Sequence, residues 1–171
     1  MGTLDFWFLF IVMARDMGSG LTTINNMSQI GSSLGYTTTT INTLVSLWSI
    51  WNFLGRFGTD YVYEMFSHSK GCARPMFIAI ALLAMSGGHL IIASGLPGAL
   101  YVGFVFVVVL YGCQWSLMPA KTSEIWVLQH FGTLFNLIAI ASPIGSYILS
   151  VKVVGYLYDS EEEKENHLKI P

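Results

Sequence analysis

The sequence predicts an all-α protein that crosses a membrane several times. Of its 171 residues, 53% are hydrophobic and 11% are charged, whereas a soluble domain carries about 25% charged residues. Residues 97–120 contain no charged side chain at all, and about 20 apolar residues suffice to cross a bilayer core of about 30 Å. We therefore expect the lipid bilayer to be the principal surroundings of this chain.

Five apolar stretches, separated by connectors rich in turn-forming residues, predict five transmembrane helices. Their approximate limits are 4–31, 38–58, 75–94, 97–119 and 132–157. Pro119 indicates a terminus for the fourth helix, and Pro143 removes a backbone hydrogen bond inside the fifth and favours a kink. Residues 1–158 form the predicted bundle, and residues 159–171 form a charged, flexible tail.

Positive charge alternates between the connectors. The second connector is flanked by Arg56, Lys70 and Arg74, the fourth contains Lys121, and the first and third contain neither Lys nor Arg. Because positive loops stay on the cytoplasmic side, we expect the N-terminus inside and the tail outside. Asp60 and Glu64 follow Arg56 at intervals of four, so the three charges share one helix face where the second helix leaves the membrane.

Polar side chains recur at helical spacing in four of the five predicted spans. The candidates to line a water-filled cavity are Asn25, Asn26 and Gln29 in the first span, Gln114 and Trp115 in the fourth, and Asn136 in the fifth. The alternative is packing between helices, where small and hydroxyl residues exchange hydrogen bonds of about 0.6–2 kcal/mol. Packing is favoured for the serines and glycines, and both interpretations stay open for the amides.

Arg15 and Asp16 stand near the middle of the first predicted span. Each charge costs about 2.5–3.5 kcal/mol at the bilayer centre on insertion scales. Adjacent residues of a helix point in different directions, so the two charges do not simply neutralise each other. One interpretation is a functional role in proton or substrate coupling. The other is that they face the bundle or water in a chain no longer under the constraint of transport.

The remaining sequence indicates neither an enzyme nor a metal or cofactor site. Cys72 and Cys113 are far apart, without disulfide or metal-ligand spacing. His89, His130 and Glu124 would be the only candidates for catalysis, and they lack the spacing of a metal site or an activated nucleophile. A net charge of −2 without a basic patch argues against binding of nucleic acid.

Several long strings of the sequence occur together in one known family. These are GSGLTTINNMSQIGSSLGY, LVSLWSIWNFLGRFG, YGCQWSLMPAKTSE, FGTLFN and ASPIGSYILSVKVVGYLYD. Together they resemble the C-terminal half of plant nodulin-like transporters, including the nuclear-fusion-defective group, within the major facilitator superfamily. The resemblance implies about twelve spans in two six-helix halves, each an inverted pair of three-helix repeats, with substrate between the halves. The five spans here would then be the seventh to eleventh, and the N-terminal half and the last helix would lie outside this chain.

The resemblance also implies a role for the charges after the second span. Gly55, Arg56, Asp60 and Glu64 lie where the family has a cytoplasmic loop motif, Gly-Arg followed by Gly and Ser-Asp. In the superfamily such loops latch helices in one state of the transport cycle. This chain departs from the motif, because Asp60 replaces a glycine and Tyr63-Glu64 replaces Ser-Asp.

The sequence therefore predicts a multi-pass integral membrane protein derived from a facilitator-type transporter of small solutes. One half cannot enclose a site between two halves, so transport would require another transporter half or a homo-oligomer. The alternative is a non-transporting membrane protein, such as a truncated product or an assembly partner. Relatives carry small neutral residues where Arg15 and Asp16 stand, which keeps this alternative open. The sequence specifies neither the solute nor the choice between plasma membrane and endomembranes.

Overall fold

The structure is a computed structural model that describes residues 3–70, 74–125, 131–156 and 160. The regular elements of these ranges are helices. In chain order they are α1 (Thr3–Asn25), α2 (Met27–Ser33), α3 (Thr38–Lys70), α4 (Arg74–Ala93), α5 (Ala99–Ile125), α6 (Phe131–Ala139), α7 (Ala141–Tyr147) and a π-helical segment, Ile148–Val154, that continues α7. The predicted tail lies outside the described residues, apart from residue 160.

Three stretches of the described residues are long and apolar enough to cross a membrane. They are Met76–Ala93, Ala99–Ser123 and Phe131–Val154, and they coincide with the third, fourth and fifth predicted spans. The chain is therefore an all-α membrane protein, as predicted. Helices α1 and α3 occupy the first two predicted spans. Charged residues in α1 and the Thr, Ser and Asn side chains of α3 make these helices less apolar, and their crossing stays a prediction.

Two of the predicted spans are interrupted rather than continuous. The first divides at Asn26, where α1 ends and α2 begins. The fifth divides at Ile140, between α6 and α7. Pro143 follows this break by three residues, and its ring nitrogen cannot donate to the carbonyl group of Ala139. The break therefore lies where the proline removes a backbone hydrogen bond.

Two helices extend further than predicted. Helix α5 continues through Pro119 to Ile125, so the helix terminus predicted at this proline is wrong. Helix α3 has 33 residues, which corresponds to a length of about 50 Å. This length exceeds a bilayer core of about 30 Å, so with the predicted span 38–58 inside the core, the end of α3 near Lys70 is expected to project beyond it.

Helices α3 and α5 form a parallel pair with very close backbones. Gly55 of α3 lies against Val109 of α5, and a Cβ atom on this glycine would lie 2.9 Å from the Val109 carbonyl carbon. Further along both helices, the Ser116 hydroxyl donates to a carboxylate oxygen of Asp60. Residue numbers increase together along the contact, so the two helices run in the same direction.

Helix α1 forms the same kind of pair with α7 and its π-helical continuation. A Cβ atom on Gly18 would lie 2.7 Å from the carbonyl carbon of Gly145, so glycine is needed at this crossing. Two turns later the Asn26 side chain donates to the Ser150 hydroxyl over 2.7 Å. This pair is therefore also parallel, and its two backbones also approach closely at a glycine.

The two parallel pairs are inverted relative to each other. Gly20 of α1 lies against the ring of Tyr111 of α5, and nearer the start of α1, Phe8 and Val12 line one groove with Lys121 near the end of α5. Residue numbers thus run in opposite directions along α1 and α5. The pair α1–α7 therefore corresponds to the pair α5–α3 turned upside down. The core, with Phe104, lies where these helices meet.

Candidate functional site

The candidate site centres on Arg56, where the parallel helices α3 and α5 meet. The Nε atom of Arg56 donates to the Asn52 side-chain oxygen, one turn earlier in α3, over 3.0 Å. Its guanidinium group lies 5.7 Å from the ring centre of Trp115 in α5. A cation over an indole ring is attracted by the ring's negative face. The side chain of Arg56 remains exposed, so it can still contact a solute or another helix.

Aromatic rings extend the site along the bundle from Trp115. The Tyr111 and Trp115 ring centres are 6.4 Å apart, and those of Trp48 and Tyr111 are 5.2 Å apart. Trp48 also lies 6.2 Å from the buried Phe104. Since Trp48 and Trp115 are half-buried, the cluster is held by the core on one side and presents ring surface on the other.

The predicted loop motif has a different set of contacts from the expected latch. Gly55 is buried, and its carbonyl accepts a hydrogen bond from Thr59 over 2.7 Å. Asp60 accepts the hydrogen bond from Ser116. Glu64 is exposed, and among the described side chains it forms no ion pair with Arg56, which contacts Asn52 and Trp115 instead. The pairing of Arg56 with Glu64 stays a prediction for another state of the protein.

Two buried polar side chains lie at similar depth on the neighbouring helices α1 and α5. Asp16 is 5% exposed and Gln114 is 3% exposed. Asp16 precedes Gly20 by about one turn and Gln114 follows Tyr111 by about one turn, so in antiparallel helices that touch at Gly20 and Tyr111 they lie at similar depth. Within the described part of the chain, the Asp16 Oδ2 and Gln114 Nε2 atoms have no hydrogen-bond partner. Such buried polar atoms are rare and mark polar sites.

The other predicted lining residues lie mainly on or near α1. Asn26 is buried and bonded to Ser150, as interhelical packing would require. Asn25 is exposed, with a long contact of 3.4 Å from its amide nitrogen to the Ser146 hydroxyl. Gln29 is exposed on α2, and Asn136 is exposed on α6, where it bonds the carbonyl of its own helix at Gly132. Packing therefore accounts for Asn26, and lining stays open for the others.

Arg15 and Asp16 point to opposite environments. Asp16 is buried inside the bundle, whereas Arg15 is exposed on the outer surface of α1. Neither a hydrogen bond nor an ion pair joins Arg15 to another described residue. The two side chains therefore point in different directions around the helix axis, as their adjacency predicts.

Sequence reasoning did not single out the residues that hold the site together. Asn52 precedes Arg56 by four residues, a helical spacing that could have identified it as a partner. Ser116 and Trp48 carry no comparable local signal, because their roles depend on how α3 and α5 are aligned. His89 was considered only as a catalytic candidate, and its Nε2 atom instead lies 3.2 Å from the Ser19 hydroxyl, between α4 and α1.

The comparisons with known proteins agree on one group. Residues 1–170 match the family described as NFD4, C-terminal domain. Over 150 residues the chain is 28% identical to the protein NUCLEAR FUSION DEFECTIVE 4 of Arabidopsis thaliana, and this match covers 85% of the chain and 25% of that protein. The chain thus spans about a quarter of the length of this curated relative. No solved structure matches it.

Proposed function

This chain belongs to the family of NFD4 C-terminal domains, and we propose that it is one half of a facilitator-type secondary transporter of small solutes. The observation that carries the proposal is the inversion of the two parallel helix pairs, α1–α7 and α5–α3. In each pair the backbones approach closely at a glycine, at Gly18 and Gly145 in one pair and at Gly55 and Val109 in the other. Major facilitator transporters are built from inverted three-helix repeats within each half, and the inverted helix pairs of this chain fit that architecture.

The proposed solute-facing wall runs along one side of α3. Asn42, Ser46, Ser49 and Arg56 recur at helical spacing and are all exposed. Ile50, next to Ser49, belongs to the neighbouring apolar side and is 55% exposed. Phe53, four residues after Ser49, lies on the polar side and is 63% exposed, so this side combines polar groups with one large aromatic ring. In this proposal the polar side, with Trp115 beside Arg56, binds the solute through amide, hydroxyl and cationic groups.

A complete path needs a second wall. The chain covers about a quarter of its Arabidopsis relative, and a single bundle exposes its polar side instead of enclosing it. We propose that the second wall comes from another transporter half or from a second copy of this chain. Alone, the chain is expected to insert into a membrane without moving solute.

Water accessibility at adjacent residues tests the proposal. In a background of Cys72→Ser and Cys113→Ser, the variants Ser49→Cys and Ile50→Cys place a thiol at nearly the same depth on the two sides of α3. In vesicles, a charged, water-soluble maleimide should modify the Ser49→Cys variant several-fold faster, because thiolates react only where water reaches them. Equal rates, or faster reaction of the Ile50→Cys variant, would remove the proposed wall.

Solute uptake then separates a transporter half from a non-transporting relative. Proteoliposomes that contain this chain alone should take up a panel of labelled sugars, amino acids and organic anions no faster than empty vesicles. Fusion of the chain to the N-terminal part of the Arabidopsis relative should raise uptake of at least one solute, and Arg56→Ala in the fusion should lower it. A fusion protein that inserts and folds but transports no member of the panel supports the non-transporting alternative.

A further inference from the structure

A groove lies between α3 and α4 on the surface of the bundle. Helix α3 packs along α5 at Gly55, and α4 packs along α5 at Gly88, so α5 forms the floor of the groove between them. The cavity has a volume of about 330 Å³, within the range of about 300–1,000 Å³ that is typical of ligand pockets. Its lining includes Leu54, Gly58 and Val62 of α3, Ile80 of α4, and Leu110 and Cys113 of α5.

A glycine of α3 keeps this α3–α4 groove open. A Cβ atom on Gly58 would have no heavy atom within 4 Å. A Cβ atom on Gly55, about one turn earlier, would instead lie 2.9 Å from the Val109 carbonyl carbon. The earlier glycine therefore lets α5 approach α3, and the later glycine leaves room beside α4 that a larger side chain would fill.

The groove presents hydrocarbon to its occupant. Leu54 and Ile80 are 46% and 54% exposed, so apolar side chains on both walls remain uncovered. Its polar side chains, Thr59 and Cys113, both donate to the carbonyl oxygen of Gly55, over 2.7 Å and 3.5 Å. The hydroxyl and thiol protons are thus used within the bundle. Because a polar group that loses its hydrogen bonds to water without replacement is costly to bury, the groove favours an apolar occupant.

One end of the groove lies near the connector between α3 and α4. Val62 and Phe77 line this end, and the Phe77 ring lies against Tyr63, with ring centres 5.5 Å apart. At about 1.5 Å per residue, α3 ends at Lys70 about 12 Å beyond Val62, and α4 begins at Arg74 about 4.5 Å before Phe77. The groove therefore runs from the interior of the bundle towards two basic positions.

The connector adds positive charge to an apolar groove. Residues 65–75 contain Lys70 and Arg74 and no acidic residue. The acidic residues of α3, Asp60 and Glu64, each stand two positions after a residue that lines the groove, and residues at this spacing do not share a helix face. Positive connectors stay on the cytoplasmic side, where the membrane surface carries anionic lipids. Hydrocarbon walls with cations at one end match the two parts of an anionic phospholipid.

We propose that the α3–α4 groove binds an acyl chain of an anionic phospholipid whose headgroup lies at the connector with Lys70 and Arg74. The acyl chain lies along Gly58, between α3 and α4, with α5 beneath it. Basic sites between membrane helices on the cytoplasmic side bind anionic headgroups in this way. Gly58 stands two positions after Arg56, so the groove and the proposed solute-facing wall occupy different sides of α3. The lipid site does not depend on the identity of any solute.

Photocrosslinking of the unaltered chain tests both parts of the ligand. The chain is placed in dioleoylphosphatidylcholine vesicles with a small fraction of phosphatidylglycerol, or of phosphatidylcholine, that carries a diazirine in its acyl chain. Mass spectrometry then measures modification at Ile80, inside the groove, and at Leu83, which lies outside it on α4 and is 75% exposed. The ratio of modification by phosphatidylglycerol to modification by phosphatidylcholine should be about 5 at Ile80, the factor that one basic residue near the surface contributes. It should be about 1 at Leu83, and equal ratios at the two residues would overturn the proposal.

A substitution at Gly58 tests the position of the acyl chain. Gly58→Leu fills the room beside α4 and should lower the ratio at Ile80 to that at Leu83. The variant should fold, because leucine has a higher helix propensity than glycine and its Cβ atom meets no described heavy atom within 4 Å. The matched control is Gly132→Leu, at an exposed and equally open glycine of α6, which should keep the raised ratio. A raised ratio in Gly58→Leu would place the lipid elsewhere.

Substitutions at the connector test the headgroup. The double variant Lys70→Gln and Arg74→Gln should lower the ratio at Ile80 to about 1, because it removes the charge that distinguishes the two lipids. Lys152→Gln, which removes an exposed cation of the π-helical segment, should leave the ratio unchanged. Salt at about 1 M, where the Debye length is about 3 Å, should lower the ratio for the unaltered chain. An undiminished ratio in the double variant would contradict the assignment of the headgroup to this connector.

Discussion

The crossing of α1 and α7 provides a sensitive test of the parallel-pair architecture. In Gly145→Ala, the added Cβ atom would overlap the carbonyl group of Ala14, with the carbonyl carbon only 2.6 Å away. The obstructing atoms belong to helix backbone and cannot rotate aside as a side chain could. The two helices must therefore move apart, which also stretches the hydrogen bond from Asn26 to Ser150.

The expected cost follows from three contributions. Overpacking of a well-packed contact costs about 1–3 kcal/mol, and rigid backbone favours the upper part of that range. Weakening the interhelical hydrogen bonds adds about 0.6 kcal/mol for each bond. Alanine regains about 1 kcal/mol over glycine through its helix propensity. The net expectation for Gly145→Ala is a loss of about 1–3 kcal/mol in the free energy of unfolding.

The assay is reversible unfolding of the chain in detergent micelles, followed by circular dichroism. Gly87→Ala is the matched control, because no described heavy atom lies within 4 Å of a Cβ atom placed there. We expect this control to gain up to about 1 kcal/mol through helix propensity. If Gly145→Ala is as stable as the unaltered chain, the close crossing of α1 and α7 does not exist, and the inverted pairing loses one of its two halves.

Three further tests concern the charged groups. We expect Arg15→Leu to raise the midpoint of thermal unfolding of the isolated chain in micelles, because it removes a charge that forms no hydrogen bond or ion pair with the described residues; a lower midpoint would indicate that Arg15 is already paired. A double-mutant cycle with Arg56→Met and Trp115→Leu, measured by unfolding, should give a coupling of about 0.5–1 kcal/mol, and strictly additive losses would exclude their stacking. For the latch, Arg56→Glu and Glu64→Arg together should restore the uptake by the fusion protein that each alone lowers. If the double variant takes up no more solute than either single variant, this pair is excluded.

The helical class and the separation of Arg15 from Asp16 could be predicted from the sequence. Hydropathy determines which stretches favour lipid, and adjacency on a helix forces neighbouring side chains apart. The break before Pro143 was predictable as a kink, although its position depends on the hydrogen bond to the preceding turn. Continuation of α5 through Pro119 was not predictable, because losing one backbone bond need not end a helix that is packed along its length.

The contacts that Arg56 and Asp60 make with α5 were beyond the reach of sequence reasoning. The sequence shows Arg56, Asp60 and Glu64 on one helix face and favours a pairing among them. In the structure, Arg56 contacts Trp115 and Asp60 contacts Ser116, and both partners belong to α5. Which residues of α5 stand opposite α3 depends on the depth at which the two backbones touch, and this alignment is a property of the assembled bundle.

The length of α3 makes it a rigid connection between the membrane and the space outside it. With the predicted span 38–58 inside a hydrocarbon layer of about 30 Å, about 20 Å of this helix would extend past it, and the same continuous helix carries Arg56. Tilting its free end, for instance by a protein bound there, would move the guanidinium group relative to Trp115 at the edge of the predicted span. Regulation of this chain could thus act from the water phase, without any ligand entering the membrane.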